Sequence, residues 1–155
     1  MGKRREGREA ALQFLYQVDV QKEDVHAQLA RFWALRTSPE QIGMPNPARD
    51  FAEQLLHGVV EHREAIDEKI SQLAQNYELH RISTVDRNIL RLGIYEMLHR
   101  REAPPVVVIN ECIEIAKKFG SEDSGRFVNG ILDRVCADLR RKNKTASSQP
   151  APGPA

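Results

Sequence analysis

Two stretches of the chain carry side chains able to do chemistry. In the first eight residues Lys3, Arg4, Arg5 and Arg8 gather against a single acid, Glu6. At roughly 100° per residue, Arg5, Leu12 and Tyr16 fall on one edge of a helical apolar stripe, and Arg8 lies almost in its middle. Cations beside an aromatic ring can pair with phosphates and stack a base, which are the two needs of single-stranded RNA recognition. The competing reading is that Arg8 snorkels and Tyr16 is core. The second stretch is "FGSEDSGRFVNGILDRV", residues 119–135. It opens with small and polar groups, among them Asp123, and then presents Arg126 and Phe127. Phe127 shares a stripe with Ile131, so it reads equally as an aromatic edge at a surface and as core packing.

Other chemistries have no signature. There is no glycine-rich phosphate loop, no zinc-type Cys/His spacing and no HExxH. His26, His57, His62, His80 and His99 include no i,i+4 pair that would set two ligands on one helical face. Glu61, Glu64, Asp67 and Glu68 read as a solvated helix face. No catalytic residue, metal or cofactor is expected, and the chain does not read as an enzyme. Cys112 and Cys136 sit among apolar neighbours and read as two buried thiols of a reducing cytosol. The basic N-terminus lacks the apolar stretch of a signal peptide. No apolar run approaches the roughly 20 residues of a membrane span. The expectation is a cytoplasmic protein with no membrane partner.

The formal net charge of +1 hides a polar distribution. Arg140, Arg141, Lys142 and Lys144 make a second basic end, and what remains of the 155 residues holds 15 basic and 21 acidic side chains. An acidic body with basic ends suits a local polyanion site, or merely soluble chain ends.

The elements that must position these groups are all helical, since nothing alternates with period two. A first helix is expected from about Lys3 to Val20, with Ala11, Leu12, Phe14, Leu15 and Val18 inward. A second starts after Asp24 as N-cap. Residues 37–48 hold three prolines and a glycine and read as a loop. Asn46-Pro47 then begins one long helix that bends near Gly58. Ser83 to Asp86 resembles a capping box with Asp86 at N3, opening a helix, "NILRLGIYEML", that is apolar nearly all round and therefore central. A helix over "VVVINECIEIAKKF" ends at Gly120 as a C′ residue, and Ser121 caps the last one. The expected fold class is all-α, two packed helical bundles. Residues 1–76 form an N-terminal subdomain, 77–142 a C-terminal one, and 143–155 a disordered tail.

Three of these segments carry a family resemblance. "REGREAALQFLYQVDV" resembles the opening helix of the NusB family of bacterial transcription antitermination factors, through Arg8, Glu9, Ala11, Gln13, Leu15 and Tyr16. "VDRNILRLGIYEML" is similar to that family's central helix. "VVVINECIEIAKKFGSEDSGRFVNGILDRV" resembles two further family runs in order and without a gap. The resemblance covers about residues 3–140, while the 37–48 loop and the tail match no motif.

The resemblance implies a fold of two helical subdomains and binding to boxA, a short single-stranded RNA element. It implies a heterodimer with NusE, a small-subunit ribosomal protein, and read-through of terminators by RNA polymerase within an antitermination complex, notably in ribosomal RNA operons. Carried onto this chain, the RNA-binding residues are Lys3, Arg4, Arg5, Arg8, Tyr16, Asp123, Arg126 and Phe127, and the partner-binding residue is Asp86. Ser124 and Gly125 would let an RNA backbone approach. Gly125 stands where the family often has a bulkier polar or basic side chain. Two other readings stay open. One is a targeting domain like those at the N-terminus of some ribosomal-RNA methyltransferases. The other is a protein–protein adaptor, including a homodimer, that does not itself bind RNA.

Overall fold

The computed structural model describes residues 2–20, 24–74 and 78–148. Among these residues there are seven α-helices and no strand. They are α1 (Lys3–Val20), α2 (Val25–Arg36), α3 (Pro47–Glu61), α4 (Arg63–Leu73), α5 (Thr84–Tyr95), α6 (Pro105–Phe119) and α7 (Ser124–Ser148). Single 3-10 turns lie at Pro39–Gln41 and Leu79–Arg81. No helix of the described residues is long and apolar enough to cross a membrane.

The helices start where capping chemistry starts them. The Asp24 side chain accepts from the His26 N–H, and the Asn46 side chain accepts from the Arg49 N–H with Pro47 as the first helical residue. Ser83 Oγ accepts the Asp86 N–H at 3.2 Å and opens α5. Each cap satisfies one orphan donor of a helix N-terminus. The 37–48 segment is irregular apart from its one 3-10 turn.

α5 is the hub. It packs against α1, α3, α4, α6 and α7, while α1 lies along α3 and α6 along α7. Its apolar residues Ile89, Leu90, Leu92 and Ile94 are buried, as expected of a central helix. So are Asn88 and Arg91, and Glu96 just beyond its end. The helix continues as a π-helical turn, Glu96–Arg100. That turn closes on Arg101, whose N–H donates to the Glu96 carbonyl at 3.2 Å and whose φ is +42°. A left-handed non-glycine residue costs roughly 1 kcal/mol and stops the helix there.

Six expectations need correcting. The single long helix is two: the backbone at His62 (φ −104°, ψ 14°) ends α3 and α4 starts at Arg63. Gly58 does not make the bend. A Cβ there would stand 1.9 Å from Tyr95 Cζ, so Gly58 is the seat of the Tyr95 ring. His62 stacks on His99 at 3.9 Å beside that ring. Gly120 is extended rather than left-handed (φ −95°, ψ −167°). It is required because a Cβ would meet Ser124 Oγ at 2.3 Å. Ser121 does not cap α7, which starts at Ser124; the buried Ser124 Oγ accepts the Ser121 N–H at 2.9 Å and ties the corner. Ser124 therefore offers no surface to RNA. Finally, 143–148 is helical, not disordered, because α7 runs to Ser148. Propagation from a packed helix adds one bond per residue, and no glycine or proline stands in the way before Pro150. Residues 149–155, and the expected boundary at 76/77, lie outside the described residues.

Cys112 and Cys136 are both buried free thiols. Burial, with the nearby Glu96 carboxylate, pushes the Cys112 thiol up to about 12, so it is unreactive at neutral pH.

Two glycines give opposite expectations. Gly58→Ala should destabilise the fold by about 1–3 kcal/mol, since the Tyr95 ring must leave its seat. Gly130, within α7, has open space where a Cβ would stand, with nothing closer than 4 Å, so Gly130→Ala should stabilise by about 0.4–1 kcal/mol. Urea unfolding of the two variants reads both signs, and a neutral Gly58→Ala would show that Tyr95 is not held there.

Candidate nucleic-acid interface

The first turns of α1 present cations because Lys3, Arg4 and Arg5 precede the point where the stripe of Ala11, Leu12 and Leu15 sinks into the core. Their heads are not bare. Lys3 Nζ lies 3.5 Å from Glu6. Arg4 reaches Glu102 at 2.9 Å, and Glu102 also accepts from Arg100 at 2.8 Å. Arg5 makes a two-pronged contact with Glu111, at 2.7 and 2.8 Å. The guanidinium of Arg5 holds Glu111 below the usual carboxylate range, and those of Arg4 and Arg100 do the same to Glu102. Arg4, Arg8 and Arg100 all lie over the Phe51 ring, 5.1, 5.3 and 5.4 Å from its centroid. The α1 surface is thus a lattice of cations interleaved with acids from α6 and the loop before it.

Arg8 is the exception. It is 4% exposed, and its guanidinium is forked onto Glu96, itself 4% exposed, at 2.8 and 2.7 Å. Burial works against its charge, yet Glu96 raises its pKa further. The reading of Arg8 as a phosphate ligand does not fit this placement: a cation in the middle of an apolar stripe is carried inward and paired there. It is a structural residue of the α1–α5 contact. Tyr16 takes the opposite course. At 46% exposed it is not core, and its ring is open to a stacking partner.

At the corner before α7, Asp123 and Arg126 are exposed. The Asp123 carbonyl accepts the Phe127 N–H at 3.1 Å. Phe127 is half-buried and packs against the core. Gly125 has ordinary room for a Cβ, which would touch Ile113 and Lys117 at 3.7 Å, so its smallness is not a packing demand. α1 and this corner are drawn together by Lys118, at the end of α6, which donates to both Glu9 carboxylate oxygens at 3.1 and 3.0 Å. Asp123 lies five residues beyond Lys118, at most about 18 Å of chain.

Asp86 sits apart, at the first turn of α5. It is 8% exposed and its Oδ1 has no hydrogen-bond partner among the described residues. The α5 N-terminus offers it a favourable field.

Reading the residues one at a time missed the partners: Glu96, Glu102, Glu111, Glu9 and Lys118. It also missed a second, part-buried cluster. Asp19 accepts from Arg87 at 2.9 Å, Asn88 at 3.1 Å and Arg91 at 3.1 Å. Arg91 also forks onto Asp67 of α4, at 2.8 and 3.1 Å. A signal existed: Arg91 and Glu96 are charges inside an otherwise apolar helix, and Arg8 is a charge inside an apolar stripe. Each needs a partner of opposite sign on a facing helix.

Burial pushes the Asp19 carboxyl up, but the hydrogen bonds from Arg87 and Asn88, with the charges of Arg91 and Arg87, outweigh it and hold it below its ordinary 3.8. Its ionised form therefore contributes stability in full above about pH 5, and that contribution is lost as pH falls through the lowered value. Asp19→Asn is expected to destabilise by about 2–4 kcal/mol at pH 7, leaving the buried Arg91 and the part-buried Arg87 short of an anion. Chemical unfolding at pH 7 and near pH 3 should show this gap narrowing in acid. A gap that is constant across the two would exclude ionised Asp19 as its source.

Comparison with known proteins finds relatives over most of the chain. The sequence profile of the NusB family matches residues 5–137. A protein named transcription antitermination protein NusB, from Anaeromyxobacter dehalogenans (strain 2CP-1 / ATCC BAA-258), is 48% identical over 137 residues, covering 88% of this chain and 92% of its own. Its namesake from Sorangium cellulosum (strain So ce56) is 43% identical over 144 residues, covering 93% and 99%. Among solved structures, T. maritima NusB superposes with a TM-score of 0.74 at 39% identity, over 85% of this chain and 89% of the other. A chain from a complex of the antitermination factors NusB and NusE with dsRNA superposes with a TM-score of 0.73 at 28% identity, over 87% and 96%. With the profile spanning α1 from Arg5 onward, the central α5 and the first half of α7, the chain belongs to the NusB family.

Proposed function

We propose that the protein is a non-catalytic transcription antitermination factor of the bacterial cytoplasm. It binds boxA-type single-stranded RNA together with NusE and promotes read-through by RNA polymerase, notably in ribosomal RNA operons. The observation that carries this is the α1 surface. Lys3, Arg4 and Arg5 lie along one helix with the exposed ring of Tyr16, on a chain whose charge outside its basic ends is net acidic. Of these cations Arg5 shares an edge of α1 with Tyr16, and phosphate pairing beside base stacking is what an unstacked strand needs. A chain of the solved NusB–NusE–dsRNA complex is similar to this one along most of its length, which supports NusE and RNA as partners; the single-stranded boxA target rests on the α1 surface.

In this reading Arg4, Arg5 and Lys3 meet the RNA backbone and Tyr16 stacks a base. Arg126 takes phosphate at the corner, and the outer edge of Phe127 lies against the strand. Arg8 acts indirectly, by fixing how α1 sits. Asp123 places a negative charge beside a polyanion and lowers affinity, which makes joint binding with NusE matter more. Asp86, at the first turn of α5, is the residue assigned to the protein partner; its side chain is 8% exposed in the chain alone and turns outward to meet that partner.

The test is binding of a boxA oligonucleotide and a scrambled control, with and without NusE. The expected outcome is preference for boxA, strengthened by NusE. Equal binding to both RNAs, unchanged by NusE, would overturn the proposal. Arg4→Ala with Arg5→Ala should weaken RNA binding and lower the salt slope by about 0.7 for each phosphate left unpaired. Asp123→Asn should tighten binding, and a weaker complex would make Asp123 a base acceptor instead.

A further inference from the structure

An open groove of about 380 Å3 runs between the start of α1 and the end of α6, lined by Gly2, Lys3, Arg5, Glu6, Glu9 and Lys118. Three cations rim it, and each is held by an acid. Lys3 pairs with Glu6, Arg5 with Glu111, and Lys118 with Glu9. We propose that this groove is a phosphodiester subsite of the RNA surface, in which Lys118 joins Lys3 and Arg5 and Glu9 holds Lys118 until a phosphate displaces it. This rests on the RNA-binding reading above and extends the site from α1 onto α6.

The physical argument is one of exchange. Three carboxylates against three cations leave the groove near neutral, so a phosphate gains there either by displacing a carboxylate, as at Lys118, or by adding to a guanidinium that keeps its carboxylate, as at Arg5. The pairs differ in how readily they yield. Lys3 and Glu6 are 66% and 63% exposed; in the second pair Glu9 is 20% exposed, as sheltered as Glu111, but its partner Lys118 is 60% exposed, so the cation is the end that water reaches. Water screens such pairs and they hold weakly. The Arg5–Glu111 contact is short, two-pronged and only 28% and 22% exposed, so it stays. Arg5 is therefore the fixed wall of the groove and Lys118 its mobile donor. Lys118 carries three donors on a flexible stem, suited to swinging from Glu9 to a phosphate oxygen. Each exchange subtracts from the gain of every polyanion. Loose, non-specific strands then bind poorly, while a strand with base contacts elsewhere keeps its margin.

The experiment is a double-mutant cycle read by fluorescence anisotropy with a boxA oligonucleotide over a salt series. It uses the full chain, Lys118→Gln, Glu9→Gln and the pair combined, with thermal melting to show that each is folded. Lys118→Gln should weaken binding about 3- to 10-fold and reduce the salt slope by about 0.7. Glu9→Gln should tighten binding about 3-fold in the unsubstituted background and have no effect when Lys118 is already Gln. Local exchange predicts this non-additivity, whereas a general change in net charge predicts additive effects. Additive effects, or Lys118→Gln with unchanged affinity and slope while Arg5→Ala weakens binding, would overturn the subsite and leave the RNA reading standing. Absence of salt-dependent RNA binding in the unsubstituted chain would overturn both.

Discussion

The buried ion pair between Arg8 and Glu96 is the constraint on which the rest of the molecule depends. Both side chains are almost wholly out of water, and each satisfies its charge on the other. Removing water from two charges costs several kcal/mol each, and only a forked, short contact offsets it. Eleven residues along α1, about 16 Å of helix, Asp19 makes the complementary contact with Arg87, Asn88 and Arg91. The polarity of the two clamps is opposite. α1 supplies the cation near its start and the anion near its end; α5 supplies the cations first, and the anion follows just past its last residue. Only an antiparallel pairing satisfies both. A parallel pairing would set Arg8 against Arg91 and Asp19 against Glu96, like charge on like, in the interior. Apolar packing alone tolerates sliding and rotation; these pairs do not.

With α1 fixed on α5, the position of the surface chemistry follows. Arg4 and Arg5 are brought over Glu102 and Glu111, and Glu9 over Lys118. The Phe51 ring of α3, capped by three guanidiniums, forms the floor beneath them. The face proposed for RNA is therefore a preorganised mosaic of paired charges. Such a face trades affinity for discrimination: its α1 cations are held in place by acids, which lowers its pull on any passing polyanion. Arg91 extends the same clamp to α4 through Asp67, so the surface and the core share one polar network.

Much of this was legible in the chain. The helix starts at Asp24, Asn46 and Ser83 are local events, decided by a side-chain oxygen within three residues of the N–H it accepts. The stripe of α1 and the all-round apolarity of α5 follow from period alone. The Tyr16 ring, left open between core and surface by its edge position, is placed outward by packing. The break at His62 was not legible, because it comes from no proline or glycine. Gly58 misled for the same reason: its lack of a side chain serves the ring of Tyr95, far along the chain. Gly120 and Ser124 show the point again, since the glycine is needed for what Ser124 does, not for its own φ.

What the sequence by itself determined is the secondary structure, the burial pattern, the family and the inventory of charges. These depend on periodicity, capping and composition, all of which act over a few residues. What only the tertiary structure decided is which charge meets which. Arg8 reads along the chain as one more member of a basic cluster; in space it is the one cation of that cluster withdrawn from the surface, because the only place its position on α1 can face is the interior, and Glu96 is there. Lys118, unremarked in the sequence, becomes part of the surface because α6 ends beside α1. Pairing energies fall steeply with distance and with exposure to water, so the same residue types become buried clamp, guarded donor or open ligand according to which helices the core brings together.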